Sequence, residues 1–563
     1  MMKSYCLSYR PFLILLLAFN ACGKKGNVPP EPPLPPTGLL LVSAKLDNTA
    51  ALAVSSNYNI KPGVTVRLSF NNAVDRTTVG ASVSIKENGS AIVPVDLTYE
   101  NGDSTVAIRP LTPLKYLTRY VAATGNSIKT VKGGALVLTA SYNFVTQIDS
   151  TDKFPVISDN ALLDLVQQQT FKYFWDYGHP VSGLARERSN AGAETVTSGG
   201  SGFGIMAIPV AINRGFITRA AGLTRMQTIV GFLKNTAQKF HGAFPHWLNG
   251  TTGAVIPFSS KDDGADLVET SYLIAGLLTA RQYFNGADVA ETSLRNDINT
   301  IWNGVEWSWF RKSNENVLYW HWSPVNNWDM NHKIQGWNEC LITYIMAASS
   351  TSFGIPQAVY RDGFARNGAM QNGNTYFGYP LPLGSANGGP LFFAHYSFLG
   401  INPNGLTDLY ANYQTQVTNH TKINYEYCRA NPRGYFGYSS SCWGLTASDV
   451  PSGYNANEPN NDQGVISPTA ALSSFPYTPT ESMNALRFFY YKLGDKIWTQ
   501  YGFTDAFSLH ELWFANSHLA IDQGPIIVMI ENYRSGLVWN LLTSCPEIKN
   551  GMKNVLGFTA PYL

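Results

Sequence analysis

Two different hydrophobic rhythms divide the chain. From about Leu39 to Gln147 apolar and polar positions alternate in short runs. Val64, Val66, Leu68 and Phe70 point one way while Thr65, Arg67 and Ser69 point the other; Val106 with Ile108, and Tyr142 with Phe144, repeat the pattern. Asn88-Gly89, Asn101-Gly102 and Gly133-Gly134 supply turns between them. A period of two with such punctuation predicts a small β-sandwich over residues 39–150. From about Ile157 the period becomes helical, and helices are predicted over 159–176, 202–214, 220–238, 265–284, 290–304, 334–349, 404–415, 467–474, 479–493 and 525–535. That many helices without alternating strands argue against Rossmann or TIM arrangements. They predict an all-α toroid of paired inner and outer helices over residues 151–563, with a cleft built by loops and the N-termini of inner helices.

The first 22 residues read as an export signal. Lys3 and Arg10 precede the apolar run Pro11–Phe19, which is shorter than the about 20 residues needed to span a bilayer. Ala21-Cys22 then fits a lipoprotein signal with Cys22 as the lipidation site, plain cleavage at Ala21 being the alternative, so the expected address is the periplasm or outer membrane, reached through an N-terminal lipid anchor. Residues 23–38 include the proline-rich stretch Asn27–Thr37, a stiff tether. Cys428 and Cys442 could pair in an oxidising compartment, or remain unpaired and partly buried.

Composition narrows the ligand. Charged residues are only 14% of the chain and the net charge is +2, which gives nucleic acid no electrostatic footprint. Aromatic residues reach 13%, which suits neutral, hydroxyl-covered ligands such as sugars. The expected partner is a polysaccharide or oligosaccharide, and the protein is expected to be a monomer.

Candidate chemistry concentrates in acids on apolar stripes. In Lys261–Glu269, Asp266 and Glu269 sit three apart at the start of a helix and project together with Leu273 and Leu277, with Asp262 and Asp263 just ahead. A bland alternative is that first-turn acids merely favour the positive end of the helix dipole. Glu339 aligns with Ile342 and Met346, with no basic residue three or four positions away to neutralise it, so its pKa should be raised, as a general acid requires. Asp522 precedes Pro525 and reads equally as an N-cap or a reserve acid. Thr478–Glu481 matches a capping box, which would occupy Glu481, and Asp449 and Asp462 look like turn acids.

Seven tryptophans fall between Trp302 and Trp337. Trp247, Trp320 and Trp322, with His246 and Asp522, are the candidate substrate contacts, because aromatic faces stack on sugar rings. No histidine spacing suggests a catalytic metal, and no cofactor is indicated. Gly200–Gly204 reads as a weak glycine loop.

Taken together, GFGIMAIPVAINRGFITR, HGAFPHWLNG, DDGADLVETSYLIAGLLTARQYF, IQGWNECLITYIMAASS, FPYTPTESMNALRFFY and AIDQGPIIVMIENYRSGL resemble the glycoamylase-like domain of glycoside hydrolase family 144. FNNAVDRTTV, IRPLTPLKYLTRYVA and YNFVT resemble bacterial Ig-like domains. The first resemblance implies an (α/α)6 barrel that cleaves β-1,2-glucan by inversion, in endo or exo fashion. It agrees with the residue reading on Asp266, Glu269 and Glu339, with Asp262 close by. Glu339 is the expected acid, and the base is Asp262, Asp266 or Glu269. Two alternatives are a polysaccharide lyase on the same toroid, with His246, His321 or His395 as base, and a non-catalytic surface glycan-binding lipoprotein.

Overall fold

The computed structural model describes residues 38–563; the signal, Cys22 and nearly all of the tether fall outside the described residues. Two compact units are present. One comprises the described residues up to Asn57, Gly63–Pro113 and Tyr120–Asn143; the other comprises Tyr58–Pro62, Leu114–Arg119 and Phe144–Leu563.

The N-terminal region is β-rich. Strands β1 (Leu41–Leu46), β2 (Thr49–Ala50), β3 (Asn57–Ile60), β4 (Val66–Phe70), β5 (Val83–Glu87), β6 (Ala91–Val93), β7 (Val95–Glu100), β8 (Thr105–Pro110), β9 (Arg119–Thr124) and β10 (Ser141–Thr146) form two five-stranded sheets. Their orders are β2-β1-β4-β8-β7 and β3-β10-β9-β5-β6, and the helix α1 (Arg76–Val79) leads into β5. The expected alternation holds in β4, where Val66, Leu68 and Phe70 are buried and Arg67 and Ser69 are not.

The larger unit is helical. Its longer helices are α2 (Asp159–Trp175), α3 (Ser198–Asn213), α4 (Arg219–Asn235), α5 (Leu267–Tyr283), α6 (Val289–Asn303) and α7 (Leu341–Ser349). Beyond the short α8 (Phe392–His395) follow α9 (Tyr413–Ala430), α10 (Pro468–Leu472), α11 (Pro479–Arg487), α12 (Leu493–Ile497) and α13 (Ala520–Arg534). Helices α3, α5, α7 and α13 are buried around nearly their whole circumference, whereas α4, α6 and α11 bury one stripe. A helix apolar on all sides must lie inside, and a one-sided one at the surface. Helix α3 packs on α5 and α13, and α5 also packs on α7. Glycine makes the α3–α5 contact possible: a Cβ on Gly202 would collide with the Tyr272 carbonyl, and one on Gly276 with that of Gly202. The run read as a glycine loop is therefore the first half of a tightly packed helix.

Other expectations need correction. Residues 404–411 are not helical; Gly405 takes φ +71° and Thr407 pairs with Thr559, so the helix starts only after the Asn412 cap. Residues 333–334 form a strand and Gly336 turns the chain at φ +79°, so α7 starts at Leu341 and Glu339 lies in the turn before it rather than on a helical stripe. Helix α13 starts at Ala520, which puts Asp522 inside the first turn instead of at the cap. Thr478 makes no side-chain cap; its hydroxyl donates back to the Ser474 carbonyl, so no capping box forms at Glu481. Cys340, Cys428, Cys442 and Cys545 are all buried and free. Among the described residues no helix is long and apolar enough to cross a membrane.

Candidate active site

Two helix N-termini organise the acids. Asp266 is the N-cap of α5: one carboxylate oxygen accepts from the backbone N–H groups of Val268 (3.0 Å) and Glu269 (2.9 Å). The capping alternative is thus real for Asp266, yet its other oxygen accepts from His246 Nδ1 at 3.0 Å. The two-residue strand β11 (Ala265–Asp266) carries it, and the strand His321–Trp322 pairs there so that His321 lies opposite Asp266. His321 Nε2 then stands 3.4 Å from Asp262 and 3.7 Å from Asp266. Glu269, in the first turn of α5, meets the start of α3, accepting from Gly199 N–H (2.7 Å) and Thr197 Oγ1 (3.4 Å). A buried carboxylate at that end is stabilised by the helix dipole.

Crowding sets the protonation states. Burial opposes a charge on Asp266, but the bond from His246 and the neighbouring imidazoles outweigh it and hold its pKa below the ordinary value. Burial and the Asp266 charge push Asp262 up to about 7. Glu269 is also raised, by burial first and by Asp266. Glu339 is raised to about 7, again chiefly by burial, with Glu269 and Asp266 close enough to add to it. His246 moves the opposite way: burial would lower it, but the charges of Glu269, Asp266 and Asp262 lift it to about 9. His321 is driven down to about 4 by burial and stays neutral.

The structure therefore brings Asp262, Asp266, Glu269 and Glu339 together. Just ahead of α5, Asp262 and Asp263 each keep a buried oxygen with no hydrogen-bond partner among the described residues. Glu339 is only partly buried, and its backbone carbonyl is anchored by the Ser397 hydroxyl. His246, Asp262 and Asp266 also present ligand atoms within 4.8 Å of one another, a spacing that would suit a small cation and that the sequence did not suggest.

Asp522 belongs to a second acid group. It lies against Asp505, and burial together with that neighbour raises it well above the usual carboxylate range. Asp505, raised to about 7 by burial, accepts from the Asp449 backbone N–H at 2.7 Å. Tyr396 lies close enough to Asp522, Glu339 and Glu269 to feel all three charges, so it links the two groups. The sequence reading does not include Asp505; its place between Thr504 and Ala506 in a short apolar alternation is the available signal. Asp449 is a strand residue rather than a turn acid, and Asp462 is a buried acceptor for Tyr427 and Tyr438.

The tryptophans separate. Trp247 is partly exposed, 4.8 Å from the ring of Phe258, itself half exposed and 4.2 Å from His246. Trp320 stacks on His332 at 4.9 Å. Successive strand residues face opposite ways, so with His321 aimed at the acids Trp322 is aimed away from them, into a cluster with Trp309 (5.3 Å) and His241 (5.4 Å). Trp322 stays partly exposed there, apart from the acids.

An N-terminal β-rich module ahead of a helical domain with convergent buried carboxylates defines the class, and comparison with known proteins defines the family. Residues 331–546 match the family described as "Putative glucoamylase" and residues 47–146 the bacterial Ig-like domain. A crystal structure from Bacteroides uniformis described as a "putative glucoamylase" is 56% identical, with a TM-score of 0.72 over 73% of this chain and 100% of that one. An endo-β-1,2-glucanase from Chitinophaga pinensis, in complex with sophorotriose and glucose, is 51% identical, with a TM-score of 0.71 over 72% of this chain and 100% of that one. An exo-β-1,2-glucooligosaccharide sophorohydrolase (non-reducing end) from Parabacteroides distasonis is 46% identical over 431 residues, 73% of this chain; the chain spans 60% of that relative's length. The chain belongs to this glycoamylase-like family, of the glycoside hydrolase 144 type, and carries a bacterial Ig-like domain before it.

Proposed function

We propose that the chain hydrolyses β-1,2-glucan with inversion, on a helical domain arranged as an (α/α)6 toroid. The buried α3, α5, α7 and α13 and the one-sided α4, α6 and α11 support an inner and an outer set of helices. The names of the Chitinophaga and Parabacteroides relatives support the linkage.

The observation that carries the mechanism is Glu339: a partly exposed carboxylic acid whose pKa of about 7 keeps it protonated where an ordinary glutamate is not. In an inverting hydrolysis it donates that proton to the departing glycosidic oxygen while a carboxylate on the other side takes a proton from the attacking water. Asp262 is our choice for that base. Asp266 spends both oxygens on the α5 cap and His246, and Glu269 is bonded at the start of α3, whereas Asp262 has an oxygen free to accept. Asp266 then positions His246 and His321 around the base. The polysaccharide lyase reading is disfavoured by charge: His246 is already paired with Asp266 and the site is rich in acids, which would repel a uronate.

The test is reducing-sugar release from linear β-1,2-glucan, starch and β-1,3-glucan by wild type and Asp262→Asn. Release from β-1,2-glucan alone, lost in the variant, is expected. An ultraviolet-absorbing unsaturated product would overturn the hydrolytic reading, and binding without turnover would overturn catalysis altogether.

A further inference from the structure

A polar chain runs outward from the second acid group. Asp505 accepts from the Asp449 backbone N–H, Asp449 accepts from Arg188 Nη1 (3.2 Å) and from the Ser517 hydroxyl, and Arg188 Nε donates to Glu187 (2.9 Å). Glu187 in turn is close enough to His246 to share its electrostatic field, so this chain borders the site built by Asp262, Asp266 and Glu269. At its outer end lies an open pocket of about 340 Å3, with Arg188, Asp449, Gly453, Trp513, Asn516 and Ser517 in its wall.

We propose that this pocket is a subsite that binds a neutral glucosyl unit of the substrate chain away from the cleaved bond; it rests on the reading given under Proposed function. Its volume is at the lower end of the roughly 300–1,000 Å3 typical of ligand pockets, suited to a single sugar with its neighbours in solvent. The chemistry is that of a polyol site. Trp513 packs against Val450, Val465 and Ala506 but remains partly exposed in the pocket wall, so an indole surface is available to a pyranose face. Arg188 Nη2 makes no hydrogen bond among the described residues, and the Asn516 side chain is exposed with its carbonyl oxygen held by Asn190. Both therefore have N–H groups to give to hydroxyls, and Asp449 can accept from them.

The charge balance selects against other ligands. Glu187 and Asp449 both pair with the one arginine, so a phosphate or uronate finds no unpaired cation there, while a neutral ring needs none. Tyr454 lies opposite Asp449 in the hairpin Ala447–Ala456, exposes 51% of its surface and is within reach of Asp522 and Asp505. A purely structural pin between hairpin and loop would explain the Arg188–Asp449 pair, but not the exposed indole and amide beside it.

Trp513→Ala, Trp513→Phe and Asn516→Ala test this by steady-state kinetics on β-1,2-glucan and by calorimetric titration of β-1,2-glucooligosaccharides into each variant combined with Glu339→Gln, where turnover no longer obscures binding. The expected result is a KM at least tenfold higher for Trp513→Ala with kcat within about twofold, a matching loss of affinity in the titration, substantial recovery in Trp513→Phe, and a threefold or greater rise for Asn516→Ala. If Trp513→Ala fails to fold, Trp513→Phe and Asn516→Ala carry the test, since the exposed Asn516 has no packing role to lose. Unchanged KM and affinity in a series whose wild type cleaves β-1,2-glucan overturns the subsite and leaves the function standing. A wild type inert toward β-1,2-glucan overturns both.

Discussion

Replacing Glu339 by glutamine removes a proton without removing volume, and the structure sets what that should do in two independent measurements. As the proposed acid, Glu339 supplies the proton for the leaving oxygen, and general acid catalysis contributes about 10²–10⁴ in rate. At about 1.4 kcal/mol per factor of ten the variant should lose roughly 3–5 kcal/mol of transition-state stabilisation. Wild-type kcat should fall as pH rises through about 7, where Glu339 ionises, and that alkaline limb should vanish from the residual activity of the variant. Stability should move the other way. The folded pKa is raised from 4.5 to about 7, so between those values the unfolded chain releases a proton that the folded chain retains, and folding loses stability as pH rises. The effect is absent below about 4.5 and complete above about 7. At about 1.36 kcal/mol per pH unit it reaches roughly 3 kcal/mol, an upper bound because Glu339 is partly exposed to water. Glu339→Gln should therefore raise Tm at pH 8 by several degrees and leave it nearly unchanged at pH 4. Initial rates on β-1,2-glucan from pH 5 to 9 and thermal unfolding at both pH values check this. Activity within tenfold of wild type, or an alkaline limb that persists, would refute the assignment of the acid; a Tm gain equal at both pH values would refute the electrostatic account.

Four further outcomes follow from the same geometry. Asp262→Asn should abolish the acidic limb of the pH–rate profile, because Asp262, at about 7, must ionise to act as base; a limb that survives with high activity moves the base elsewhere. Asp266→Asn keeps a capping oxygen but removes a charge that holds His246 at about 9, so NMR titration of His246 should show its pKa at least one unit lower. Gly202→Ala should lower Tm sharply by forcing α3 from α5, whereas Gly231→Ala, in helix α4 with open space around its Cβ, should stabilise by about 0.5–1 kcal/mol in urea unfolding. Trp322→Ala should cost about 3 kcal/mol of stability through lost packing with Trp309 and His241 yet leave KM within twofold; a large KM increase would return Trp322 to the substrate.

The residues legible in the sequence are those whose roles are fixed by local geometry. Asp266 and Glu269 lie three apart, and any helix starting near Leu267 turns both toward its apolar neighbours, whatever they pack against. The alternation in β4 and the helical character of residues 159–175 are of the same kind. Glu339 was found for a reason that did not survive: its spacing to Ile342 implied a helical stripe, while the chain places it in a turn after Gly336. An acid without a nearby base has a raised pKa in either conformation, which is why Glu339 stands out in the sequence although it is not on a helical stripe. What stayed hidden depends on pairings between short segments that carry no periodicity. A two-residue strand sets His321 against Asp266 and so turns Trp322 away, a decision no window around Trp322 contains. The second acid wall is more extreme, because Arg188 meets Asp449 across 261 positions and Asp449 meets Asp505 through a backbone N–H that looks like any other in the sequence. Composition says that sugars suit this chain, but which aromatic rings face the acids is set by strands two to four residues long. That is why the proposed catalytic acids are readable in the sequence and the proposed Trp513 subsite is not.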